Sequence, residues 1–335
     1  MGLFDIFKST NEEKLHKAAS AGKIEVIEAL LADGVDVNYS NKYGVSSLMM
    51  AADKGQTETV EFLLKKGAAV NQVSQNGRTA LLIAVIEGRI DTARVLLAHG
   101  ADPEIADKDK EMPLIFAVVN NNIKMAEVLI AGGAKVNAQK NGVSSLAISA
   151  EAGFLELVKI LIKAGADVNQ AAGQKKATKG NTPLISAAEN GHVEIVRELL
   201  ESEAEVDHIR PDGGSALLMA VQEAHPAVVK TLLNAKADPN SSFKGITALM
   251  LASTTVEEKI VKSLLEAGAD IKRKDSDGKT ALMWAALYNR EAIIKILLDN
   301  GADPLATDKN GQTAMQMAVE KSHHEAQKAL SGILK

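Results

Sequence analysis

From Thr280 to Gly301 the apolar residues fall into two short stripes. Leu282, Ala285 and Ala286 are spaced as on one side of a helix. A few residues later Ile293, Ile294, Leu297 and Leu298 form a second stripe, again with one side to bury. Thr280 stands where a hydroxyl can cap the first helix. Gly301 closes the second, where a glycine can turn left-handed at little cost. The strings DSDG and DKNG on either side are turn formers. The pattern predicts helix, turn, helix and then an extended turn.

The same pattern recurs along the whole chain. The leucine of the TxL-like phrase falls at Leu48, Leu81, Leu114, Leu146, Leu184, Leu217, Leu249 and Leu282, with Met315 as its last form. The intervals are 33, 33, 32, 38, 33, 32, 33 and 33 residues. The glycine position of the GAD-like phrase keeps the same period, from Gly34 to Gly301, with one long interval in the same place. Pro113 and Pro183 fall just inside first helices, where proline suits a helix start. One helix pair cannot bury both its faces, so neighbours must stack into a solenoid whose contacts are local. The expected fold is all-α: stacked helix-turn-helix units joined by extended, hairpin-like turns.

The stretches DSDGKTALMWAA with IIKILLDNGADP, and KGNTPLISAAENGHVEIVRELL, resemble the ankyrin repeat family. The resemblance covers about residues 11 to 335 in ten repeats. It implies a single repeat domain, with residues 1–10 as an amphipathic capping segment, an extended turn at 170–179 and a capping repeat from 308. The histidine that follows the family's TPL phrase is absent. Met49, Leu82, Ile115, Ala147, Ile185, Leu218, Met250, Met283 and Gln316 replace it, so apolar packing is expected to replace its hydrogen bonds. Glu203 and Lys236 replace the helix-ending glycine. A left-handed backbone there costs about 1 kcal/mol each, which predicts that units six and seven are the softest.

Composition narrows the function. Only 3% of the 335 residues are aromatic, so small and aliphatic side chains must do the packing. A net charge of −5 points neither to nucleic acid nor to an acidic tail. With no cysteine there is no disulfide, thiolate metal site or cysteine nucleophile, which suits a reducing, cytoplasmic setting. No apolar run reaches the ~20 residues that span a bilayer. The start, MGLFDIFKSTNEEK, lacks the apolar core of a secretory signal, and Ile6 stands where myristoylation needs Ser or Thr.

Catalytic motifs fail on their own terms. KDSDGKT resembles the tail of a phosphate loop, but Arg273 stands where the loop needs its first glycine. His324 and Glu325 begin a zinc-helix pattern that Lys328 breaks. His192 takes the family's helix-start position, and Trp284 is expected to face the core. The reading is therefore a non-enzyme with no cofactor and no metal.

In the ankyrin family, the turns and the outward side of the first helices form a concave face that grips proteins. By resemblance, that face here includes Tyr43, Val45, Arg78, Ile86, Phe243, Ile246, Leu287 and Tyr288. Its acids and bases balance, as suits a protein partner better than nucleic acid. The lengthened turn adds Lys175 and Lys176, and insertions in solenoids map to loops on one face. Leu3, Phe4, Ile6 and Phe7 could touch a membrane, though a short segment with one lysine would bind weakly. The expected protein is a monomeric protein-binding scaffold. The alternative is a membrane-associated or exported effector that docks through its first residues or through the stack.

Overall fold

The computed structural model describes residues 10–173 and 180–332. The chain divides into two compact units, residues 1–145 with 159–166, and residues 146–158 with 167–335. The first unit holds α1 (Asn11–Ser20), α2 (Ile24–Ala32), α3 (Ser47–Lys54), α4 (Thr57–Lys65), α5 (Ala80–Ile86), α6 (Ile90–Ala98), α7 (Pro113–Val119) and α8 (Ile123–Ala131). A hairpin of β1 (Gln139–Lys140) and β2 (Val143–Ser144) follows. Next come α9 (Ser145–Ala152) and α10 (Leu155–Lys163), where the division falls. The second unit continues with α11 (Pro183–Glu189), α12 (Val193–Glu201), α13 (Ala216–Gln222) and α14 (Pro226–Asn234). A second hairpin, β3 (Ser242–Phe243) with β4 (Ile246–Thr247), leads to α15 (Ala248–Ala252) and α16 (Glu258–Glu266). The last helices are α17 (Ala281–Leu287), α18 (Glu291–Asp299), α19 (Ala314–Glu320) and α20 (His324–Ser331).

Helix starts follow the caps read from the sequence. Thr79 accepts the Leu82 amide at 3.1 Å, and Ser46, Thr182, Ser215, Thr247, Thr280 and Thr313 act alike. Within each unit first helices pack on their own second helices and on first helices beside them, as α5 does on α6, α3 and α7. Alanines make that approach close: Ala51, Ala52 and Ala84 in one unit and Ala187, Ala188, Ala285 and Ala286 in the other are fully buried. The second helices contribute the larger aliphatics, such as Leu63, Leu96, Ile294 and Leu297.

The missing family histidine is replaced only partly by apolar packing. Leu82, Ile115, Ile185 and Leu218 are indeed buried. In the last three repeats, however, the replacing side chain still accepts the cap residue's amide. The Met250 and Met283 sulfurs take the Thr247 and Thr280 amides, both at 3.4 Å, and Gln316 Oε1 takes that of Thr313 at 2.8 Å. A thioether is a weak acceptor, yet it spares a buried N–H from having no partner.

Two further columns join neighbouring repeats. The side chain at the end of several GADVN-like phrases accepts an amide of the next repeat: Asn38 from Ala69 at 2.7 Å, Asn71 from Asp102 at 2.8 Å, and Asn240 from Asp270 at 2.8 Å. The turns also bond directly, Gln75 N to Tyr43 O at 2.8 Å, Lys108 N to Asn76 O at 2.9 Å and Lys309 N to Asp277 O at 2.9 Å. Glu203 and Lys236 have φ of 66° and 69°, so both bear the left-handed backbone that elsewhere falls to glycine.

Candidate binding face

The turns and the outward side of the first helices carry the residues that could meet a partner. In the first unit Tyr43 is 57% exposed, with the Lys42 ammonium 5.1 Å from its ring centroid. Tyr43 shares a groove with Glu13, His16, Lys17, Tyr39, Asn41, Lys42 and Met50. His16 is buried there, with Nε2 3.4 Å from the Tyr39 carbonyl. Burial pushes its imidazole below the ordinary value, and the Tyr39 carbonyl and Glu13 partly oppose this. Val45 is half-buried beside the turn, its amide bonded to Asn41 Oδ1 at 3.1 Å. Arg78 is tied down: its Nε lies 3.3 Å from Asp107, a buried carboxylate that also accepts two turn amides. Ile86, half-buried, faces a second groove with Phe116.

In the second unit Tyr288 is 47% exposed and stacks on Trp284, with centroids 6.0 Å apart. Trp284 is not interior as the sequence suggested. It is half-buried, and its indole N–H donates to Asp275 Oδ2 at 2.9 Å. Its place on the first helix is that of Ile83, Phe116 and Leu251, and all four are half-buried. The buried residues at the two following positions, Ala285 and Ala286 after Trp284, fill the helix contacts, so this position points outward. Phe243 is 37% exposed, but it covers the neighbouring turn: a Cβ on Gly213 would lie 2.7 Å from its ring. Ile246 and Leu287 are half-buried. Beside them the Lys279 ammonium holds Asp277 below the usual carboxylate range and is itself raised by Asp277.

Lys175 and Lys176 lie outside the described residues, as do Leu3, Phe4, Ile6 and Phe7. Among the described residues no group of three or more His, Cys, Asp or Glu could hold a metal ion, and no helix is long and apolar enough to cross a membrane.

The reading from the sequence missed a column of bridging side chains. In six repeats the residue just before the second helix reaches back to a carbonyl at the end of the preceding first helix. Gln56 meets Ser20 O at 3.3 Å, Arg89 Asp53 O at 3.2 Å, His225 Glu189 O at 3.1 Å and Arg290 Thr254 O at 2.7 Å. His192 does the same to Glu151 O at 3.0 Å, which gives its helix-start position a second role. These side chains lie across the glycines that end first helices, and a Cβ on Gly22, Gly55, Gly153 or Gly191 would strike them within 2.8 Å. The signal was present as an interval of 34 residues between glycine and bridging residue, lengthened to 39 only across the long turn from Gly153 to His192.

A repeated helix pair and turn, tied by side-chain columns, defines an all-α repeat solenoid. A profile described as "Ankyrin repeats (3 copies)" matches residues 15–107, 99–172, 170–243, 217–308 and 249–333. The chain belongs to the ankyrin repeat family. It is also similar to two curated proteins over shorter stretches. One is the Ankyrin repeat and KH domain-containing protein mask-1 of Caenorhabditis elegans, 34% identical over 101 residues, which are 30% of this chain and 4% of that protein. The other is Ankyrin repeat and KH domain-containing protein 1 of Homo sapiens, 36% identical over 74 residues, 22% of this chain and 3% of that protein. The matched stretches thus span a small fraction of either relative.

Proposed function

We propose that the chain is a non-enzymatic scaffold that binds a protein partner on the face made by its turns and first helices. The observation that carries this reading is the row of large side chains left partly open to solvent on that face. Ile83 and Phe116 lie on it in one unit, Leu251 and Trp284 in the other, with exposed Tyr43 and Tyr288 beside them. Aromatic and aliphatic side chains that a fold leaves facing water at one repeated position are the usual anchors of an interface. The surrounding side chains are held by bonds within and between repeats. Such a surface loses little entropy when it binds. On this reading residues 11–335 form one binding domain with a capping repeat from 308, acting as a monomer in the cytoplasm.

The test is affinity capture from the native lysate with the full chain and with Tyr43→Ala, Phe243→Ala and Tyr288→Ala combined. Thermal melts check that the variant remains folded. Loss of captured proteins supports the assignment, and a variant that keeps every partner sinks it.

A further inference from the structure

Phe154 and Glu257, in the bridging place before α10 and α16, have no side-chain N–H to donate, and among the glycines that end first helices one, Gly88, is left uncovered. The equivalent glycines Gly22, Gly55, Gly153 and Gly191 are covered by Gln56, Arg89, His192 and His225, but a Cβ built on Gly88 would meet nothing within 4 Å. The residue in register to cover it is Asn122. Its side chain is too short, and it is turned to its own helix, where it accepts the Met125 amide at 3.1 Å. The carbonyl in register to receive a bridge is that of Ile86, at the end of α5. Among the described residues no side chain reaches it, whereas the equivalent carbonyls of Ser20, Asp53 and Glu189 each have a donor. A pocket stands in place of the missing side chain, lined by Ile86, Gly88, Phe116, Asn120, Asn121 and Lys124 among others.

We propose that this pocket takes an arginine side chain from the partner protein, which completes the column in trans. The molecule itself supplies the precedent. Arg89 lies over Gly55 with Nε on the Asp53 carbonyl, and Arg290 makes the corresponding bond to Thr254. The chemistry fits on three counts. A helix C-terminus presents unsatisfied carbonyls and negative potential, which favour a cation with several donors. The apolar wall of Ile86 and Phe116 suits the arginine stem, and the Phe116 ring can stack on a planar guanidinium. Exposed Glu87, between Ile86 and Gly88 in the chain, lies outside the lining but adds negative charge at the same helix end. Lys124 on the rim opposes a cation, so a compact ammonium gains less here than a guanidinium with donors in a fixed fork.

The inference rests on the protein-binding reading, and its test separates the two. Peptides are selected from a random linear library displayed on phage against the full chain, then synthesised with each arginine replaced by citrulline. That exchange keeps shape and removes charge without touching the protein. The expected result is a family of peptides with one arginine whose replacement weakens binding at least tenfold. Asn122→Arg, which fills the pocket in cis but gives up the α8 cap, should weaken binding as much, whereas Asn122→Ala, which gives up the cap alone, should not. Peptides that bind equally well with citrulline, or equally well to Asn122→Arg, overturn the inference. If those same peptides are lost with Ile83→Glu or Tyr43→Ala, the protein-binding reading stands alone. If no selected peptide responds to any substitution on this face, both fall.

Discussion

Glu203 and Lys236 offer the most direct test of what holds this stack together. Both have φ near +70°, and both follow second helices, α12 and α14. In the same unit Gly268 and Gly301 hold that position with φ of 91° and 87°. A Cβ added at either would meet nothing within 4 Å. The side chain at this site is therefore neither crowded nor packed, and the cost of a non-glycine residue is local backbone strain alone. That strain is about 1–2 kcal/mol per residue. Glycine returns about 0.5–1 kcal/mol of it through its greater freedom in the unfolded chain. Glu203→Gly with Lys236→Gly should then stabilise by about 1–2 kcal/mol in total. Their amides keep their bonds to the Leu200 and Leu233 carbonyls, since the backbone need not move. Because neighbours couple mainly to neighbours, the gain should be concentrated in α11 to α14 and fade toward α20. Hydrogen exchange followed by mass spectrometry resolves this. In the parent chain α11–α14 should exchange faster than α17–α20. In the double variant their exchange should slow by about five- to thirtyfold. Unchanged or faster exchange there would refute the strain argument, as would equal protection of the two regions in the parent.

Three further outcomes can be measured. Gly278→Ala and Gly301→Ala both place a side chain at φ above 80°, but only at Gly278 does the new Cβ approach another turn, at 2.9 Å from Lys309 N. Gly278→Ala should therefore cost about 1–2 kcal/mol more in urea unfolding, because it also disrupts the Lys309 N to Asp277 O bond. Arg290→Ala leaves the Thr254 carbonyl without its 2.7 Å charge-assisted partner and should destabilise by about 1–2 kcal/mol, with Arg290→Lys recovering only part. His16 gives a pH effect of fixed sign. Its folded imidazole titrates below the ordinary 6.5, so well above pH 6.5 it is neutral in both states and contributes no slope. As pH falls below 6.5 the unfolded chain takes up the proton first, and stability drops until the folded-state value is passed. Amides in α1 should lose protection between pH 7 and pH 5, and His16→Gln should flatten that trend; a slope that survives the substitution places its origin elsewhere.

The fold was legible because each of its requirements is local. Thr280, Leu282, Ala285, Ala286 and Gly301 state a cap, a narrow helix face and a left-handed end within one repeat, and the period says that the statement is made again. The left-handed φ at Glu203 and Lys236 could be anticipated for the same reason: register assigns them a glycine's place. Burial on the binding face was less legible. In a seven-residue helix the apolar stripe is barely two turns long, so Trp284 fits the core pattern as well as the outward one. What decides is that Ala285 and Ala286 fill the space toward α18 and the neighbouring first helices, leaving the indole to find Asp275 and Tyr288. Phe243 stays exposed yet also covers the Gly213 turn, a contact no single unit shows because that turn lies in a different repeat.

The gap at Gly88 lies at the far end of this scale. Within its own repeat Gly88 is indistinguishable from Gly55: each ends a first helix with positive φ, 66° and 70°. The difference is thirty-four positions away, where Asn122 stands in the register of Arg89. Neither residue is unusual alone, and asparagine before a helix is a good cap, which is the role it takes here. Only stacking turns that choice into a vacancy, because a side chain spent on its own helix cannot also reach the repeat before it. In a solenoid the core repeats and so reads out of any one unit, whereas specificity comes from the units that depart from the column. The departures worth testing are those where the fold has left a carbonyl, an apolar wall and an open glycine together, as it has beside α5 and α7.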